Sequence, residues 1–111
     1  MSIKIDRIGN ILVQEISYIL STQIKDKDIS FVTVTDVKVS KDLGHAKVYV
    51  TILDDSKKEL TLKSLKNASG FVRRALYDRV DLRHVPEIEF VYDESIDYGK
   101  RIESLIDNLN K

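Results

Sequence analysis

The side chains that could do chemistry in this chain are concentrated between residues 57 and 84. This segment carries eight lysines and arginines against three acidic residues, whereas residues 1–56 have a net charge of −1 and residues 85–111 one of −4. The chain as a whole is neutral, although one stretch of it is strongly basic. Such asymmetry indicates an anionic partner better than the overall charge does, although charged helix surfaces also serve solubility.

A glycine lies inside the basic stretch, in the sequence Ala68-Ser69-Gly70. Glycine within a helix costs ~1 kcal/mol against alanine, so it usually marks a kink, a cap or the close approach of another molecule. The pattern predicts two short helices that meet in a kink at these residues. Gly70 would let a phosphate or sugar approach the backbone, and the basic residues around it are Lys57, Lys58, Lys63, Lys66, Arg73, Arg74, Arg79 and Arg83. The alternative is that Gly70 only caps one helix, that the cations are solvated, and that Arg74 pairs with Asp78.

Other chemistry is poorly represented in the sequence. It has no Walker A loop, dinucleotide-binding glycine motif, H-E-x-x-H or G-x-S-x-G, and it contains no cysteine. His45 and His84 are expected on the surface, and the carboxylate pairs Asp54-Asp55 and Asp93-Glu94 fall where turns and caps need them. We therefore expect no catalytic residue, no metal site and no cofactor.

Aromatic residues offer a weaker signal for nucleic acid. Tyr49 and Tyr77 could stack on bases, but tyrosines half-buried at the edge of a sheet or helix are commoner. The three phenylalanines, Phe31, Phe71 and Phe90, are expected in the core.

The elements that must position these residues follow from hydrophobic spacing. An apolar stripe recurs at helical intervals and predicts an amphipathic helix over residues 4–24; its members are Ile8, Ile11, Leu12, Ile16, Ile19 and Leu20. Residues 29–39 and 45–53 are rich in β-branched side chains, and the short turn between them predicts an antiparallel hairpin. Ser56 with Glu59 forms a capping-box pattern that would begin the next helix.

The rest of the chain completes an α+β pattern. A third strand is predicted to begin at Val85-Pro86, and a last helix is predicted after Asp93-Glu94-Ser95. The order α-β-β-α-α-β-α favours one domain over residues 1–111, a three-stranded mixed sheet with helices on one face, and a third strand parallel to one hairpin strand. No apolar run approaches the ~20 residues of a membrane span, and the N-terminus has no apolar signal region. We expect a soluble intracellular protein.

This element order resembles a type II KH domain, a module that binds nucleic acid through a GxxG loop. The chain has no GxxG; its junction reads Ala68-Ser69-Gly70, an A-x-G, and such a junction in a KH-like order is similar to the bacterial ribosome-binding factor A family. Further strings agree with that family across nearly the whole chain: Thr33-Val34-Thr35-Asp36-Val37-Lys38-Val39-Ser40-Lys41-Asp42-Leu43, Ala46-Lys47-Val48-Tyr49-Val50, Gly70-Phe71-Val72-Arg73 and Pro86-Glu87-Ile88.

The resemblance implies a ribosome biogenesis factor that binds free or immature small (30S) ribosomal subunits. It implies contact with 16S rRNA near the neck and decoding region, support of late maturation and 5′-end processing, a role in growth in the cold, a cytoplasmic monomer, and release by an assembly GTPase. Carried over to this sequence, the RNA-binding positions of the family are Ala68, Ser69, Gly70, Arg73, Arg74, Arg83 and Arg7. The spacing of the basic residues on the predicted helix adds Lys63 and Lys66 as further candidates. The missing first glycine argues against ordinary single-strand KH binding and favours recognition of folded rRNA by shape.

Family members are often net basic and some carry a basic C-terminal tail, whereas this chain is neutral and reaches Lys111 soon after its last predicted helix. Two alternatives remain open. One is a KH-like protein–protein interaction module without direct RNA contact, which would use the acidic C-terminal segment. The other is a small acylphosphatase-like enzyme, which is disfavoured because the order begins α-β-β rather than β-α-β.

Overall fold

The computed structural model describes residues 3–29 and 31–95. Within these ranges two α-helices and a three-stranded sheet are connected by turns, two of them 3-10 turns at Lys27–Ile29 and Asp55–Lys57. The elements are α1 (Ile3–Thr22), β1 (Val32–Val39), β2 (His45–Ile52), α2 (Lys58–Arg79) and β3 (Glu87–Tyr92). The α+β class is confirmed, and the predicted last helix lies outside the described residues.

The sheet is mixed, as predicted, and its strand order is β1-β2-β3. β1 and β2 are antiparallel, and β3 runs parallel to β2. Along β2 the side chains of Ala46, Val48, Val50 and Ile52 are buried while those between them are wholly or partly exposed, which is the alternation that the sequence indicates. Both helices therefore cover the same face of the sheet, and their buried residues join the strands in a single core cluster.

A β-bulge interrupts β1 between Val34 and Asp36, where Thr35 is the extra residue. The bulge shifts the alternation, so that Val34 and Val37 are both buried although three positions separate them. The Thr35 hydroxyl donates to Asp93 Oδ2 at 2.6 Å. This bond ties β1 to the residue that follows β3, across the central strand.

The two central helices predicted from Gly70 are in fact one. α2 runs without interruption from Lys58 to Arg79, and no glycine among the described residues has a positive φ. The capping-box prediction is also wrong. Asp54 caps the 3-10 turn before α2 by accepting from the Ser56 backbone N–H at 3.0 Å, and α2 begins at Lys58 without a side-chain cap.

Glycine has a packing role in α1 instead. Gly9 is buried, and a Cβ built there would lie 2.6 Å from the backbone oxygen of Val37 on β1. A side chain of any size would collide with main-chain atoms, so Gly9 permits the close approach of α1 to the bulged strand. Around it, α1 buries Ile8, Leu12 and Ile16 of the predicted stripe, whereas Ile11, which the periodicity also placed there, is 44 % exposed.

Two of the three phenylalanines predicted in the core lie outside it. Phe31 is 67 % exposed and Phe71 is 41 % exposed, whereas Phe90 is partly buried against the core cluster. On α2 the buried residues include Leu65, Val72 and Leu76, at i, i+7 and i+11, and this spacing places Phe71 about 100° away from their stripe.

Candidate nucleic-acid interface

The exposed side of α2 carries three of the eight cations that sequence reasoning placed around Gly70. Lys63, Lys66, Gly70 and Arg74 are all exposed. Their spacings of three, four and four residues put them on one side of a helix, and the distance along the axis from the first to the last is about 16 Å. We call these four residues the outer face of α2. Because α2 is continuous, its cations stand on a rigid element.

Gly70 leaves a gap in the middle of the outer face. A Cβ built at this position would meet nothing within 4 Å, so no neighbouring group requires glycine there. Gly70 lies in the interior of α2, and this position excludes the alternative that it caps a helix end. An exposed helical backbone between Lys66 and Arg74 is a place where a ligand can approach more closely than elsewhere along the helix.

The other two residues of the A-x-G sequence turn away from this gap. Ala68 packs partly buried against the core cluster. The Ser69 hydroxyl donates to the Lys66 carbonyl at 2.8 Å, a local helical bond that holds the half-buried side chain beside the helix. Of the three residues predicted as a binding junction, only Gly70 is part of the outer face.

Three of the eight basic residues of the segment 57–84 are occupied by contacts within the fold. Arg73 donates through Nε to the Val85 carbonyl at 3.1 Å, which fixes the loop before β3. Arg79 is paired with Glu15 on α1 and lies over the Tyr18 ring. The Nζ of Lys58 lies 3.8 Å from the centroid of the Tyr92 ring. These contacts indicate that the three cations stabilise the structure.

Arg74, Lys63 and Lys66 differ from those three, since within residues 3–29 and 31–95 the structure shows no ion pair on them. The possible pairing of Arg74 with Asp78 is not formed. The remaining predicted residues, Arg83 and Arg7, are exposed, the first in the loop after α2 and the second on α1. They therefore stand on different elements from the outer face.

The acidic groups at the ends of strands serve turns. The pKa of Asp54 is held below its ordinary value by the hydroxyl and backbone N–H of Ser56. The pKa of Asp93 is lowered by the Ser95 hydroxyl and then by that of Thr35. The predicted turn and cap roles of Asp54 and Asp93 are therefore confirmed. His45 is exposed on β2, with its Nδ1 atom 3.5 Å from Glu87 Oε2, as expected of a surface histidine.

Within residues 3–29 and 31–95, no group of histidine and carboxylate side chains is arranged to hold a metal ion. The same residues contain no helix long and apolar enough to cross a membrane. The geometry of the interface is thus that of a basic helix side, with arginine and lysine heads in solvent around a bare backbone. Lysine and arginine side chains are common phosphate contacts in nucleic-acid complexes, which makes this surface a candidate for one.

Sequence reasoning missed several exposed apolar residues, of which Leu53 and Phe31 are the most exposed within the described part of the chain. Phe31 opens a β-branched run, which is why the pattern predicts it in the core, and Leu53 at the end of the hairpin attracts no attention by its spacing. Tyr77 is half-exposed on α2 and Tyr49 is partly buried on β2, so only Tyr77 presents much of its ring to solvent. The alternation along β2 could have indicated that Leu53 is exposed, because Leu53 directly follows the inward-facing Ile52 and therefore projects to the opposite face of the strand.

Comparison with known proteins gives one consistent answer. The family model described as ribosome-binding factor A matches residues 4–106. The crystal structure of ribosome-binding factor A from Thermus thermophilus is similar with a TM-score of 0.71 at 27 % identity, over 78 % of this chain and 92 % of that one. A solution structure from Thermotoga maritima, described as a ribosome-binding factor A, is 32 % identical over 76 % of this chain and 85 % of its own, with a TM-score of 0.61.

A third similar structure carries information about binding. It is a homology model of the Thermus thermophilus factor, fitted into the cryo-electron microscopy map of a complex with the 30S subunit. Its TM-score is 0.69 at 26 % identity, and the match covers 81 % of this chain and 96 % of that chain.

Proposed function

Because this chain belongs to the ribosome-binding factor A family, we propose that it binds the small ribosomal subunit and its 16S rRNA through the outer face of α2. The observation that carries the proposal is the set of cations around Gly70 that make no ion pair within the described part of the chain. The relative from Thermus thermophilus was fitted into a map of its 30S complex, which supports the same partner here.

The physical basis of the interaction is electrostatic. Lys63, Lys66 and Arg74 would each contact a phosphate, and the bare backbone at Gly70 would let the RNA lie close against the helix. Phosphate contacts orient a protein on its target without reading base sequence, so the specificity would come from the shape of folded rRNA. This mechanism requires no catalysis and no cofactor.

The proposal extends to the biological role. We infer a factor that acts on free or immature subunits, supports late 16S rRNA maturation including 5′-end processing, and leaves by the action of an assembly GTPase. We further propose that it works as a cytoplasmic monomer formed by one domain over residues 1–111, with Arg83 and Arg7 as additional contacts. A role in growth in the cold belongs to the same proposal.

The decisive experiment neutralises the outer face. In the triple variant Lys63→Gln, Lys66→Gln, Arg74→Gln the helix propensity stays nearly constant. If the three cations contact phosphates, co-sedimentation with free small subunits should weaken, and the slope of log affinity against log salt should become shallower by about 2 to 3.

A matched control removes the same charge elsewhere. Lys38 and Lys47 are paired on β1 and β2, Lys41 lies in the turn between these strands, and all three are exposed, so their replacement by glutamine should leave the slope within about one unit of the wild type. If both triple variants bind as the wild type does and binding is insensitive to salt, the proposal fails and a protein–protein module becomes the better description.

A further inference from the structure

Two large apolar side chains are exposed together at one end of the sheet. Phe31 precedes β1 and is 67 % exposed, and Leu53 follows β2 and is 79 % exposed. The Leu53 backbone N–H donates to the Phe31 carbonyl at 3.2 Å, which continues the antiparallel pairing beyond the two strands and holds the residues opposite each other. Paired residues of an antiparallel ribbon project to the same side, so they form a small apolar platform.

A cleft of about 240 Å³ adjoins this platform, and Lys27 and Lys57 line it together with Asp28 and Asp54. The cleft is therefore formally neutral. The carboxylate of Asp54 accepts from the Ser56 backbone N–H and from its hydroxyl at 2.6 Å, and Asp28 is half-buried. The two lysines are exposed and have long stems, so their ammonium groups can meet a phosphate outside the cleft.

The platform adjoins the start of α2, the helix that carries the surface proposed to bind RNA, since Phe31 and Leu53 line the cleft together with Lys57 and Thr61. Lys57 immediately precedes α2, and Lys63 begins the outer face six residues later, about 9 Å along a helix axis. Lys57 is about 120° around the helix from Lys63, so an RNA chain would reach Phe31 and Leu53 by following the outer face toward the start of α2 and then passing around its first turn.

We propose that the platform takes one unpaired nucleotide of the bound RNA, with the base stacked on the Phe31 ring beside Leu53 and the adjacent phosphates near Lys27 and Lys57. The inference rests on the proposed function and adds a kind of contact that the outer face does not provide. An aromatic ring flanked by lysines is the arrangement that holds unpaired bases without reading their sequence.

A nucleotide fits this place better than a protein partner does. Stable protein interfaces bury about 800 Å² on each side, which two side chains do not supply. The cleft is also smaller than the roughly 300 to 1,000 Å³ of pockets for drug-sized ligands, and a single planar base is an occupant of suitable size.

The test uses the full chain, isolated small subunits, and a short fluorescent single-stranded RNA together with its abasic counterpart. Phe31→Leu keeps an apolar side chain but removes the ring, and Phe31→Ala removes both. Each should weaken binding of the single-stranded RNA about 5- to 100-fold, and the wild type should prefer that RNA to the abasic one by a similar factor. Phe71→Leu, the same change at another exposed phenylalanine, should stay within about twofold.

The outcomes separate this inference from the one before it. A wild type that does not travel with small subunits overturns the proposed function. A wild type that does so, yet binds the abasic RNA as well as the complete one, overturns only the stacking of a base on Phe31. If Phe31→Ala loses small subunits while Phe31→Leu retains them and RNA binding is unchanged, the platform contacts a ribosomal protein and the inference is wrong.

Discussion

Alanine at the two helical glycines Gly70 and Gly9 should change stability in opposite directions. At Gly70 a methyl group meets open space and the backbone is helical, so Gly70→Ala should raise the free energy of unfolding by about 1 kcal/mol through helix propensity. At Gly9 the same methyl group would lie 2.6 Å from the Val37 carbonyl oxygen. This atom belongs to the main chain, so relief requires α1 and β1 to separate.

The cost at Gly9 follows from that contact. Overpacking of a close-packed site costs typically about 1 to 3 kcal/mol, and a backbone obstacle that cannot rotate away places Gly9→Ala near the upper end. The helix propensity of alanine offsets about 1 kcal/mol of it, which leaves a net loss of about 2 kcal/mol. The two variants should therefore differ by about 3 kcal/mol although the chemical change is identical.

Urea unfolding followed by circular dichroism measures this difference. For a denaturant slope of about 2 kcal/mol per molar, the midpoint should rise by roughly 0.5 M for Gly70→Ala and fall by roughly 1 M for Gly9→Ala. A lower midpoint for Gly70→Ala would show that α2 is not a continuous helix there. A midpoint for Gly9→Ala equal to or above that of the wild type would refute the close approach of α1 to β1.

Three further predictions concern the contacts that occupy side chains within the fold. Arg73→Leu should lower stability by about 1 to 2 kcal/mol, because the carbonyl that Arg73 satisfies loses its donor; thermal unfolding measures this. A double-mutant cycle of Glu15→Gln and Arg79→Gln should give a coupling of roughly 0.5 to 1 kcal/mol, since the pair is only partly buried. Thr35→Val should cost about 1 kcal/mol at neutral pH through its lost bond to Asp93. The folded pKa of Asp93 is depressed, so this contribution is complete above the ordinary aspartate pKa of 3.8 and disappears as the pH falls through the folded value.

Each of these predictions has a control in the chain itself. Arg74 is one residue beyond Arg73 but exposed, so Arg74→Leu should leave the midpoint of thermal unfolding unchanged. If both variants lower the midpoint equally, the bond from Arg73 to the Val85 carbonyl does not stabilise the fold. A coupling of zero between the α1 and α2 partners would mean that the ion pair does not stabilise the helix packing. If Thr35→Val lowers stability as much in an Asp93→Ala background as in the wild type, the hydroxyl–carboxylate bond is not the cause.

The contacts of individual cations change how the charge of the segment 57–84 should be understood. A net charge of +5 describes the stretch, but Arg73, Arg79 and Lys58 are held by a carbonyl, a carboxylate and an aromatic ring. Charge reversal at Arg73 would therefore disturb the fold and any binding together. Variants that test binding belong on Lys63, Lys66 and Arg74.

Local spacing was enough to predict much of the architecture. The stripe on α1, the alternation along β2 and the parallel third strand follow from periods of 3.6 and 2 and from the length of the crossover. The same reasoning named Lys63, Lys66 and Arg74 among the basic residues of the segment 57–84, but it did not separate them from the cations that the fold occupies. It placed Gly70 at a helix boundary because the propensity of glycine argues for a break, whereas the packing of Leu65, Val72 and Leu76 on the core keeps α2 continuous through it.

The amino-acid sequence by itself determined the strands, the buried stripes and the position of the basic segment, because each depends on neighbours within a few turns of chain. Only the tertiary structure decided which cations are occupied and which glycine is required by packing. Arg79 meets Glu15 across 64 residues of sequence, and Gly9 meets Val37 only because α1 crosses the bulged strand. Contacts between residues so far apart leave no periodic signal in the sequence, so no spacing rule predicts them.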